Sequence, residues 1–62
     1  MISREIIAKL LDAGWVLVHT SGSHHQFAHE SRGGRVTVPH PKKDLPLGTI
    51  KSIEKQSGLK LR

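Results

Sequence analysis

The chain has 62 residues, a net charge of +5 at pH 7, a pI near 10.3 and no cysteine. That length allows one domain, residues 1–62, and so short a chain buries only about 60% of the surface its unfolded form exposes. The composition excludes a disulfide scaffold, a thiolate metal site and a cysteine nucleophile, and such an unstapled domain leans on a partner or an oligomer.

Ser3 is a candidate N-cap, with Glu5 in the first turn where the helix dipole favours negative charge. Ile6, Ile7, Leu10 and Leu11 then form one apolar stripe, with Ile2 just before it, and Gly14 supplies a left-handed stop. Trp15 to Thr20 is rich in β-branched and aromatic residues and reads as a strand. Ser21-Gly22-Ser23 reads as a turn, and His24 to His29 as a second strand. There His25, Phe27 and His29 share one face, while His24, Gln26 and Ala28 share the other. Burial of the only phenylalanine, Phe27, turns His24 away from the core and leaves His25 beside it or at its edge.

Glu30 to Gly34 reads as a second turn, followed by a short strand, Arg35-Val36-Thr37-Val38, which Pro39-His40-Pro41 ends. Lys42-Lys43-Asp44 is a polar loop, and Pro46 suits the first position of a helix. Leu47, Ile50 and Ile53 recur at helical spacing, with Lys51 and Lys55 on another face, and Gly58 ends this helix before a short tail. The order α-β-β-β-α predicts an α+β domain: a three-stranded antiparallel sheet with both helices packed on one face. No segment resembles a signal peptide or approaches the eighteen or so apolar residues of a membrane span, so the expectation is a soluble, cytoplasmic protein.

The charge is placed unevenly. Residues 32–62 carry eight Lys and Arg against two acids, whereas residues 1–31 carry two against three. Such asymmetry is the electrostatic footprint of a protein that meets a polyanion, with nucleic acid the leading candidate. Lys42 and Lys43, beside a helix N-terminus, and Lys51 with Lys55 are the phosphate-binding candidates. With one Trp, one Phe and no Tyr, the stacking platforms of sequence-reading RNA modules are missing, and Trp15 is assigned to the core. Any base preference is therefore expected to be modest.

Five histidines raise the question of a metal. His25 and His29 lie four apart on a strand, roughly 13 Å along the chain at the usual strand rise. No acidic or cysteine ligand sits near enough in sequence to complete a site, so neither a metal nor another cofactor is expected. His19, His29 and His40 read as surface or edge residues. His24 differs because it follows a glycine turn and shares an exposed sheet face with Gln26 and Thr37. RNA can be cleaved when a base deprotonates the 2′-hydroxyl, an acid protonates the leaving 5′-oxygen and cations stabilise the phosphoryl oxygens. A histidine near neutrality and nearby lysines are the residue types that chemistry needs. A non-catalytic RNA-binding module, with His24 touching only phosphate or a 2′-hydroxyl, would use the same surface.

Gly14-Trp15, Gly22-Ser23-His24-His25-Gln26-Phe27, Val36-Thr37-Val38-Pro39-His40, Leu45-Pro46-Leu47-Gly48-Thr49 and Gly58-Leu59 together resemble the HicA family. These are small mRNA-interferase toxins of bacterial toxin–antitoxin pairs, and the resemblance covers nearly the whole chain. It implies a fold similar to double-stranded-RNA-binding domains and a metal-independent endoribonuclease that cuts mRNA. It also implies that His24, the first histidine of the Gly-Ser-His motif, is catalytic; Ser23 and Gln26, beside it, are further RNA-binding candidates. A HicB-type antitoxin would be the protein partner. Where the family often carries an arginine before the turn, this chain has His19.

Overall fold

The computed structural model describes residues 1–62. Helix α1 (Ser3–Asp12) is followed by strands β1 (Val16–Ser21), β2 (His24–His29) and β3 (Arg32–Pro39), and then by helix α2 (Leu47–Ser57). The strands form one antiparallel sheet in the order β1-β2-β3. Ile6 and Leu10 of α1 and Ile50 and Ile53 of α2 meet Phe27, Val36 and Val38 in one buried cluster. Both helices therefore cover the same sheet face, as the sequence pattern predicts, and both make their sheet contacts chiefly on β3. The opposite face carries no helix.

The end of α1 shows why Gly14 is needed. The Gly14 N–H donates to the Leu11 carbonyl and the Trp15 N–H to the Leu10 carbonyl, a Schellman closure that uses two orphan carbonyls of the last turn. Gly14 takes a left-handed φ of 96°, and a Cβ there would stand 2.9 Å from Nε2 of His29. The closure delivers Trp15 into the core, 2% exposed, one residue ahead of β1. Gly58 likewise caps α2 with a φ of 74°.

Four sequence expectations are corrected. Ser3 is not the N-cap: that position is Ile2, with no side-chain cap, and Ser3 is the first helical residue. Its hydroxyl is instead buried against His40 and the amide of Lys42. The second turn is shorter than the Gly33-Gly34 pair suggests. Glu30 and Ser31 alone connect β2 to β3, and Nδ1 of His29 closes the loop by accepting the Ser31 amide at 3.1 Å. The two glycines lie within β3, where the register shifts between Phe27 and His29, and Gly34 takes a φ of 79°. Glycine suits such a bulge because it can hold the extra residues in conformations closed to other side chains.

Leu47, which shares the helical spacing of Ile50 and Ile53, is 53% exposed. Leu45 before the helix and Leu61 after it are buried in its stead, at 3% and 5% exposed. Finally, β1 runs to Ser21, and the loop to β2 is the two-residue pair Gly22-Ser23. The terminal Leu59 to Arg62 segment is tied down by Glu54, whose carboxylate accepts the Leu61 amide at 2.9 Å and the Arg62 guanidinium at 3.1 Å.

Candidate functional site

The register of the sheet decides which side chains share a face. His25 pairs with Val38 and Phe27 with Val36, so these four point toward the helices. His24 pairs with Pro39 and Gln26 with Thr37, so these point to the helix-free side. On β1 an irregularity between Leu17 and His19 resets the alternation, so that Ser21 stands opposite His24 and His19 opposite Gln26. The helix-free face thus gathers His24, Gln26, His19, Ser21 and Thr37 across three strands. His24, at the first position of β2, is exposed, and Gln26 is half-buried. A histidine there is held by a paired strand yet open to a large ligand.

Arg35 completes this face and was not among the residues singled out from sequence. Its Nη1 donates to Oε1 of Gln26 at 2.8 Å, which orients the amide and fixes the guanidinium on the sheet. The signal was present in the alternation of β3, because Arg35 has the parity of Thr37. Arg35 is already the first residue of the strand read from sequence, but the lysines drew the phosphate-binding assignment.

The remaining candidates are distributed as follows. Ser23 belongs to the turn immediately before His24, and its carbonyl accepts the His40 N–H at 2.7 Å. That bond brings the segment leading to Lys42 and Lys43 beside the His24 end of the sheet. Both lysines are exposed and line a cleft of about 210 Å³ with Arg4, His40, Pro41, Ile2 and Ser3. Lys51 is exposed on the second turn of α2, in the helical layer rather than on the His24 face.

His25, His29 and His40 have packing duties. His29 lies against Trp15, with ring centroids 5.3 Å apart, and its Nε2 meets the Ala13 carbonyl at 3.1 Å. Since its Nδ1 accepts the Ser31 amide, Nε2 carries the proton and donates to Ala13. His25 and His40 meet edge-on at 5.0 Å. No group of three or more His, Asp or Glu side chains converges where it could hold a metal ion.

Two comparisons with known proteins bear on this arrangement. The family model described as HicA toxin of bacterial toxin–antitoxin matches residues 3–59. A solved structure described as a HicA3 and HicB3 toxin–antitoxin complex contains a chain 35% identical to this one. The match covers 100% of both chains with a TM-score of 0.78. Among curated proteins nothing matches.

Proposed function

Since the chain belongs to the HicA family of toxins from bacterial toxin–antitoxin pairs, we propose that it is an endoribonuclease that cuts mRNA and so arrests translation and growth. The observation that carries this reading is His24, an exposed histidine on a paired strand of a helix-free sheet face, beside a Gln26 amide locked by Arg35. The 2′-hydroxyl oxygen attacks the adjacent phosphorus and the bond from phosphorus to the 5′-oxygen breaks. A 2′,3′-cyclic phosphate and a free 5′-hydroxyl result. Two protons move, one from the nucleophile and one to the leaving oxygen, and His24 carries one of them as general acid or base. Ser23 and Gln26 hold the nucleotide beside it. Lys42, Lys43 and Lys51 hold phosphates, and the Arg35 guanidinium adds a cation suited to phosphoryl oxygens.

A HicB-type antitoxin is the protein partner on this reading, since the similar solved chain is one half of such a complex. Leu11, Val16, Leu17 and Val18 are each about half exposed, an amount of free apolar side chain that suits a domain with a protein partner. No helix is long and apolar enough to cross a membrane, and the cytoplasm, where mRNA is found, is the proposed location. Incubating the purified protein with an end-labelled RNA tests the activity. Discrete fragments ending in 2′,3′-cyclic phosphate are expected. RNA that is bound and recovered intact would leave a non-catalytic RNA-binding module in its place.

A further inference from the structure

His24 has an unusual neighbour in its own ladder. Pro39 stands opposite it, in a pair of the kind that exchanges no backbone hydrogen bonds, since Ser23 and His40 beyond it are bonded to each other. The outermost rung that ties this end of β2 to β3 is the His40 N–H on the carbonyl of Ser23, at 2.7 Å. His40 is held in turn through its side chain. Its Nδ1 lies 2.6 Å from Oγ of Ser3, and its ring rests edge-on against His25. Ser3 is 1% exposed at the start of α1, and the same hydroxyl accepts the Lys42 amide at 2.9 Å. The Ser3 N–H donates to the Lys42 carbonyl at 2.8 Å. One buried serine thus grips both His40 and the backbone of Lys42. Neither Ser3 nor the His40 ring has a role in the chemistry above.

We propose that the Ser3–His40 pair is a clasp that positions His24, with His40 a positioning residue that does not itself touch RNA. This rests on the reading of His24 as the proton carrier. The physical case is that the His40 ring points to the core side of the sheet while His24 points to the other, so His40 acts through the backbone rung it supports. Without the clasp the outermost rung, just beyond His24, is held by one backbone bond alone, and the strand end bearing His24 frays. Small misplacement of a proton carrier lowers the chemical step far more than it lowers binding.

The test compares wild type with Ser3→Ala, His40→Ala and His40→Asn, whose amide sets a polar atom near the place of Nδ1. Two things are measured: steady-state RNA cleavage, and amide hydrogen exchange at His24 and His40. His40→Ala and Ser3→Ala are expected to lower kcat about 10- to 100-fold with KM within about twofold. Exchange at the His40 amide should accelerate, and His40→Asn should recover most of the loss. A folded His40→Ala variant with wild-type kcat, a loss expressed in KM alone, or no recovery in His40→Asn would each overturn the clasp. Should His40→Ala fail to fold, Ser3→Ala, which removes one oxygen, decides by the same criteria. If the wild-type protein cuts no RNA, the nuclease reading fails separately. The exchange arm then decides alone: unchanged protection of the His40 amide in Ser3→Ala sinks the clasp, and faster exchange upholds it.

Discussion

Phe27 and His24 stand three residues apart on β2 and have opposite surroundings, one 1% exposed within the core and the other open to solvent. Truncating Phe27 to alanine should cost about 3–5 kcal/mol, comparable to the whole stability of so small a domain. His24→Ala should leave the thermal midpoint within a degree or two, since it removes neither packing nor a hydrogen bond. A thermal melt of the two variants checks the pair, and equal destabilisation would mean that the strand register is wrong. Parity made this contrast legible in the sequence, because one buried aromatic fixes the facing of every neighbour on its strand. The Ser3–His40 bond was not legible. It joins residues 37 apart, and local pattern suggested a helix cap for one and an idle surface position for the other. His29 was hidden for the same reason, since its duties depend on Trp15, Ala13 and Ser31 arriving together.

Among the elements, helix and strand identities followed from glycine, proline and apolar spacing, whereas the helix starts and the burial at the ends of α2 did not. Leu47 has the helical spacing of a core residue, yet it faces solvent, while Leu45 before the helix and Leu61 after it are buried. Whether a flanking leucine docks depends on the path of the chain after the helix, which periodicity does not encode. The tail carrying Leu61 gives a pH-dependent prediction. The Leu61 amide, above all, and then Arg62 hold the Glu54 carboxyl below its ordinary value of 4.5, against an opposing contribution from burial. A carboxyl depressed by folding stabilises the folded state fully above its unfolded pKa, and that contribution is lost as pH falls through the folded pKa. Docking of the tail should therefore be intact at neutral pH and weaken as the pH drops below 4.5. Hydrogen exchange at the Leu61 amide across an acid titration checks this. Glu54→Gln should make that amide exchange faster at neutral pH and flatten its dependence on acid.

At the scale of the whole molecule, the basic half of the chain is the feature that fits a polyanion. If Lys42 and Lys43 hold phosphates, changing both to Glu should weaken RNA binding by at least about tenfold, and wild-type affinity should fall steeply with salt as counterions are released. Binding titrations at several salt concentrations check both statements, and an affinity insensitive to charge reversal and to salt would remove this footprint. The α-β-β-β-α order and the family were legible because the turn and strand motifs run through nearly the whole chain. The grouping of cations was less so: Lys51 lies in the helical layer, while Arg35, which was not singled out, lies on the His24 face.

The central claim is that His24 moves a proton during cleavage while other residues hold the RNA. It is tested most directly by measuring single-turnover cleavage and RNA affinity side by side for wild type and His24→Ala. Proton transfer matters only in the transition state, so the variant should lose cleavage by at least about 100-fold while its affinity stays within a few fold of wild type. A His24→Ala protein that still cuts RNA at the wild-type rate would contradict the account.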